Sequence, residues 1–271
     1  MVMRLRRVGL ALYLMSSCPS LFAQISAPNA SGVSLGHIHL MVRDPDEHKK
    51  LWVGLLGAEV THSGSLELLK IPGIFIILGK ANTTEGSVGS SVDHFGFQVK
   101  DLATMRAKTD AAHLEVVQEN PGARQFVVLF PDKVKVEFTE NAALNVPLVS
   151  HHIHIATIQA NMEAVRTWYV KTFGAMSDMR RGFPTAAFNG GEVNVIQAAQ
   201  PTLPTNGRSL DHIGFEVKNL EAFGKKLEAQ GVKFETPYRD VPQIGLKIAF
   251  LTDPVGTRIE LTEGLATTAV H

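Results

Sequence analysis

Cysteine is all but absent: Cys18 is the only one in 271 residues. A lone cysteine excludes a disulfide framework, and removal of Cys18 with a cleaved leader would exclude a thiolate metal site as well, so the core is expected to be held by packing and any metal to be taken by His, Asp or Glu. Net charge is absent too, with 26 basic and 26 acidic side chains. That removes the bulk-charge case for nucleic acid or an anionic membrane as partner. Aromatic residues make up only 7% of the chain, too few for a surface that stacks single strands. No apolar run approaches the roughly 20 residues of a membrane span. The run from Val8 to Met15 follows Arg4, Arg6 and Arg7 and precedes Leu21-Phe22-Ala23. This is the order of a secretory signal peptide over residues 1–23, cut after Ala23, which would also remove Cys18. The expected location is periplasmic or extracellular, with no membrane attachment after cleavage. The remainder, with 45% hydrophobic and 19% charged residues over the chain, has the balance of a globular protein.

What the sequence does have is repetition. Residues 93–102 read DHFGFQVKDL and residues 211–220 read DHIGFEVKNL, alike at seven of ten positions. Two further strands start in the same manner, Gly36-His37-Ile38-His39-Leu40-Met41-Val42 and His151-His152-Ile153-His154-Ile155. Each of the four leads into a helical segment. Asp44-Pro45-Asp46 opens the first, with proline where a first turn accepts it, and Leu51, Trp52, Leu55 and Leu56 follow at helical spacing up to Gly57. The second is expected over 101–113. The third carries Met162, Val165, Trp168, Tyr169 and Phe173 before Gly174, and the fourth is expected over 219–230 before Gly231. Apolar runs broken by turn residues come next, as in Phe126–Phe130, Pro131-Asp132-Lys133, Val134–Phe138, and again in 245–251, 253–256 and 258–261. The unit is strand, helix, three strands, written four times, and such a unit cannot bury its apolar face alone. A break at 141–149 divides the chain into halves of 34–141 and 149–264.

Alternation along a strand puts His37 and His39 on one face and Ile38, Leu40 and Val42 on the other. The same rule pairs His94 with Gly96, His152 with His154, and His212 with Gly214. The apolar face must lie under the helix, leaving the histidines on the concave side, where a neighbouring glycine gives room for a ligand. Glu137 and Glu260 sit in apolar strands, a costly place for a carboxylate unless it is paired or bound to metal. Two histidines and one carboxylate on facing strands make a facial triad with open coordination positions. His48, His62 and His113 read as solvated.

These units resemble the vicinal oxygen chelate superfamily (glyoxalase, bleomycin resistance and extradiol dioxygenase proteins) over about residues 34–264. The resemblance implies an α+β fold of two tandem domains, each of two βαβββ units, with mixed sheets curled around a metal cavity. It assigns His37, His94 and Glu137 as metal ligands in the first half and His152, His212 and Glu260 in the second. The spacings are similar, 57 then 43 residues against 60 then 48. The family's fourth-ligand position falls on Ile76 and Asn194, which does not favour a four-ligand site of the glyoxalase I type. His39 and His154 are read as proton-moving groups, as outer partners, or as further ligands, since about 6.6 Å separates residues two apart on a strand.

With nitrogen and oxygen donors the divalent metal is iron, manganese, zinc or nickel. It would polarise vicinal oxygens of a small-molecule substrate, in a reaction of dioxygenase, lyase or isomerase type. Phe250 stands where extradiol dioxygenases carry a tyrosine, and no histidine lies between His212 and His271, which counts against the usual catechol-cleaving machinery. Export counts against glutathione and coenzyme A thioesters as substrates. The competing expectation is a small-molecule binding protein of the bleomycin-resistance kind, without catalysis. The element order argues against a bicupin.

Overall fold

The computed structural model describes residues 25–83 and 85–268; the expected signal peptide and Cys18 lie outside them. Strand β1 (Val33–Val42), helix α1 (Pro45–Gly54) and strands β2 (Glu59–Ser63), β3 (Leu66–Ile71) and β4 (Ile74–Lys80) form the first unit. The second has β5 (Val92–Val99), α2 (Leu102–Ala111), β6 (Glu115–Asn120), β7 (Gln125–Phe130) and β8 (Val134–Glu140). The third has β9 (Leu148–Thr157), α3 (Met162–Phe173), β10 (Met176–Arg180), β11 (Phe183–Phe188) and β12 (Gly191–Gln197). The fourth has β13 (Leu210–Val217), α4 (Leu220–Ala229), β14 (Phe234–Val241), β15 (Leu246–Thr252) and β16 (Arg258–Glu263). The fold is α+β, with the βαβββ unit present four times.

Local signals explain the helix ends. The Asp44 side chain accepts from the Asp46 and Glu47 amides, with Pro45 in the first turn, and Asp101 and Asn219 cap α2 and α4 in the same way. Gly174 ends α3 at φ +68°, the left-handed conformation that glycine adopts without a Cβ penalty. No helix among the described residues is long and apolar enough to cross a membrane.

Two contacts between units determine where a site can form. Within each half, consecutive units pack through their apolar sides. Trp52 of α1 is fully buried against second-unit rings, 4.8 Å from Phe130 and 6.0 Å from Phe95 between centroids. In the second half Phe173 of α3 stacks on Phe215 of β13 at 4.6 Å, and the Tyr169 hydroxyl donates to Asp253 at 3.0 Å. Between halves, strands join edge to edge. The sheets run β14-β15-β16-β13-β1-β4-β3-β2 and β10-β11-β12-β9-β5-β8-β7-β6. Each eight-stranded sheet therefore draws one unit from 34–141 and one from 149–264. Antiparallel pairs β1–β13 and β5–β9 are the seams.

His48 departs from its expected solvated position. It is fully buried, with Nε2 3.3 Å from Asp132 Oδ2. Asp132 also accepts from the Arg43 backbone and guanidinium. The cluster ties the end of β1 and α1 to the β7–β8 turn, inside the first half.

Candidate metal centres

All six expected ligands lie at two points, but their grouping differs from the expected one. His37, His39, His212 and Glu260 converge in one sheet, and His94, Glu137, His152 and His154 in the other; within each set, one ligand atom per residue lies within 4.8 Å of the others. His37 thus meets His212 and Glu260, not His94 and Glu137, and His152 meets His94 and Glu137. The reason is the packing described above. Units adjacent in sequence turn their apolar faces to each other, so their histidine faces point apart. The seams set His39 opposite His212 and His94 opposite His154. Parallel pairing then places Glu260 beside Gly214 and Glu137 beside Gly96. His39 and His154 lie inside the ligand clusters.

The glycines also do something other than expected. Gly96 and Gly214 leave room for a histidine ring rather than for a ligand. A Cβ on Gly96 would fall on the His152 ring, and one on Gly214 on the His37 ring. Gly96→Ala is expected to displace His152 and weaken divalent-metal binding at least about tenfold, on the scale of losing an outer hydrogen-bond partner. The check is chelator competition with the purified variant, its fold confirmed by circular dichroism.

Hydrogen bonding orients the imidazoles. His94 Nδ1 donates to Asp93 at 2.6 Å, leaving Nε2 at 3.2 Å from Glu137 Oε2. His212 repeats this with Asp211 at 2.7 Å and Glu260 at 3.1 Å. Lys135 in turn holds Asp93, and Arg258 holds Asp211. A carboxylate on one ring nitrogen fixes the tautomer and raises the basicity of the other, the usual support of a metal-bound histidine. At His152 the neighbour is His151, with Nδ1 atoms 2.9 Å apart. These outer groups were legible only as letters: Asp93 and Asp211 precede the histidine in both copies of the repeated stretch.

Electrostatics separates the histidines into two kinds. Burial lowers His37 and His152, and lowers His39 and His154 to about 3, with neighbouring imidazoles adding to the effect in His39, His152 and His154. These rings are neutral at pH 7 and offer lone pairs. Burial also lowers His94 and His212, but their flanking carboxylates outweigh it and the net direction is upward. Burial raises Glu137 and Glu260, yet hydrogen bonds from histidine bring both below the ordinary carboxylate range. Positive charge is thus favoured where ring and carboxylate meet. His152 Nε2 and His154 Nδ1 are buried without a hydrogen-bond partner. His37 Nε2 lies 2.9 Å from Glu260 yet is not aligned for a hydrogen bond with it. Buried polar atoms without partners are rare, and several aimed at one point beside a carboxylate fit a divalent ion.

The two clusters have unlike surroundings. His94, Glu137, His152 and His154 line a cavity of about 560 Å³, with polar walls including Gln125, Arg181 and Asn194, a size suited to a small molecule. Register places Glu192 beside His152 and Asn194 beside His154. In the other sheet, Phe75 and Ile77 occupy those places beside His37 and His39. The strand neighbour of His39 is therefore Ile77, one residue from the expected Ile76. Asn194 is engaged, accepting from Thr185 and donating to Glu192. Phe75 and Ile77 join Leu68, Leu246, Ile248 and Phe250 in a buried apolar cluster that also takes Ile25. Phe250, at the position expected for tyrosine in ring-cleaving relatives, lies 5.3 Å from the His212 ring. Its counterpart in the polar cavity is Val127, since Phe250 pairs with Glu260 and Val127 with Glu137. Neither cluster has a phenol there.

A search of curated proteins finds no match. Glyoxalase I from Zea mays superposes with TM-score 0.68 at 14% identity, covering 88% of this chain and 97% of that one. A putative dioxygenase from Bacillus subtilis subsp. subtilis str. 168 gives TM-score 0.64 at 14% identity, covering 89% and 87%. Residues 151–261 match the family model of the Glyoxalase/Bleomycin resistance protein/Dioxygenase superfamily. The family model thus covers most of the second half, and the chain as a whole shares the fold of these two solved structures.

Proposed function

We propose that the protein is a secreted, metal-dependent enzyme that acts on a small molecule with vicinal oxygens in the polar cavity. The carrying observation is the convergence of His94, Glu137, His152 and His154 on the lining of that cavity. A bound divalent ion would supply Lewis acidity toward an oxygen pair. Asp93 holds the His94 Nδ1 proton, which leaves Nε2 beside Glu137 to serve as the nitrogen that would hold an ion, and His151 orients His152. Thr139 donates to Glu137 Oε1 at 2.8 Å and fixes the carboxylate. We assign His154 to the ligand set rather than to proton transfer, because it shares the cluster with the other three. The reaction is of dioxygenase, lyase or isomerase type.

A second reading, binding without catalysis, draws on the other cluster, whose ligands are flanked by Phe75, Ile77 and Phe250 rather than by polar groups. The test is to load purified protein with Fe²⁺, Mn²⁺, Zn²⁺ or Ni²⁺ and present diols and hydroxycarbonyl compounds. Oxygen uptake with the iron form identifies a dioxygenase; product without oxygen uptake identifies a lyase or isomerase. Tight binding without turnover under every metal supports the binding reading. Failure to take up metal under any condition contradicts the enzyme proposal.

A further inference from the structure

The geometry points to a second recognition element in the polar cavity: Arg181, set by Gln125, receives an anionic group, such as a carboxylate, on the molecule whose oxygen pair faces the metal ligands. This rests on the proposed role of that cavity and adds a substrate class to it.

Charge within the cavity supports the assignment. Asp93 is offset by Lys135 at 2.9 Å. Arg180 is offset by Asp178 at 2.7 Å and faces Glu192 at 3.8 Å. Among the described residues, Arg181 makes no ion pair with a carboxylate; its guanidinium donates to the neutral Gln125 Oε1 at 2.9 Å. The amide nitrogen of Gln125 lies 3.5 Å from Glu137 Oε2. One side-chain amide therefore connects the ligand carboxylate to the guanidinium. A compact molecule can place an oxygen pair at one end of that span and a carboxylate at the other. Arg180 already faces two carboxylates, Asp178 and Glu192, whereas the Arg181 guanidinium is left to pair with an incoming anion, and an Arg–carboxylate pair is among the stronger charge-assisted contacts.

The corresponding place in the other sheet provides an internal comparison. Arg180 pairs with Phe183 across the β10–β11 turn, and Ser63 with Leu66 across the β2–β3 turn, so Arg181 corresponds to Gly64. Both are left-handed, at φ +48° and +54°, a conformation that favours glycine. At Gly64 any side chain is excluded, because a Cβ would overlap the Gln243 carbonyl oxygen. Ser63 Oγ donates to the Ile244 carbonyl at 2.7 Å, and the Ser65 amide donates to Gln243 at 2.9 Å. Ile248 stands at the Gln125 position, since Gln125 pairs with Thr139 and Ile248 with Thr262. The guanidinium and its amide support thus occur together in the polar cavity, and neither is present at the corresponding positions of the other sheet.

The test uses Co²⁺-loaded protein and two probes with the same oxygen pair, catechol and 3,4-dihydroxybenzoate, followed by visible absorption of the metal. His94→Ala serves as the control that loses the response. Dihydroxybenzoate is expected to bind at least about tenfold more tightly than catechol. That advantage falls to within about twofold in Arg181→Gln, persists in Arg181→Lys, and shrinks as salt rises because the guanidinium is at a solvent-exposed rim. Equal binding of the two probes by the wild type, or an advantage undiminished in Arg181→Gln, overturns the assignment. Should cobalt fail to bind, the metal reading fails separately. The heat of dihydroxybenzoate binding to metal-free protein then decides the anion subsite: loss in Arg181→Gln supports it, and no difference, or no binding, overturns it.

Discussion

Glutamine in place of Glu137 is expected to remove the divalent ion from the polar cavity and to abolish turnover there. The effect should exceed the roughly 10–100-fold cost of removing an outer hydrogen-bond partner, because the substitution removes the anionic ligand itself. The diagnostic feature is which variants act together. His94→Ala and His152→Ala come from different halves of the sequence yet line one cavity, so the double variant loses no more metal than either alone. His94→Ala and His37→Ala come from the same half yet belong to different clusters, so their metal losses add wherever both clusters are loaded. Metal content after dialysis, read by elemental analysis, is the measurement. Affinity should also rise with pH. A metal-bound imidazole must give up its proton at the coordinating nitrogen, and the carboxylates beside His94 hold that proton to higher pH than usual, against the effect of burial.

Trp52→Ala has the largest expected effect on stability, about 3–5 kcal/mol, as for other fully buried large-to-small changes. The indole lies among Phe95, Phe97 and Phe130 and joins the first unit to the second. Its Nε1 is buried without a partner, so Trp52→Phe removes an unpaired donor along with some volume and should cost less than about 1.5 kcal/mol. Urea melts of the three proteins read both values. A cost below about 1 kcal/mol for the alanine variant would mean that the apolar sides of consecutive units are not the core of the first half.

The same contact explains how far the sequence could be read. Strand alternation and helix punctuation were enough for the four βαβββ units, because Asp44-Pro45 and Gly174 act locally. The residues that cluster were also legible, since histidine at a strand start and glutamate inside an apolar strand are unusual in themselves. Their grouping was not. Whether His37 meets His94 or His212 depends on which unit joins the edge of β1, and side-chain period carries no information about that choice. Consecutive units bury Trp52 and Phe173 between them, which leaves β1 to pair with β13 and β5 with β9. Position along a strand was readable to one residue, as Ile76 and Ile77 illustrate, and a one-residue slip reverses the face. The apolar filling of one concave face combines Ile25 with residues from the first and fourth units, a tertiary fact with no local signature. His48 misled for a similar reason: a histidine on a polar helix looks solvated until Asp132, from the next unit, is brought against it.

The most direct test is a crystal structure of the Zn²⁺- or Co²⁺-loaded protein with anomalous data collected at the metal edge. A peak is expected on the wall of the polar cavity, about 2.0–2.2 Å from nitrogen or oxygen atoms of His94, Glu137, His152 and His154, so that both halves of the chain hold one ion. A loaded protein with no peak there, or a peak held by His94 and Glu137 with His152 and His154 turned away, would contradict that expectation.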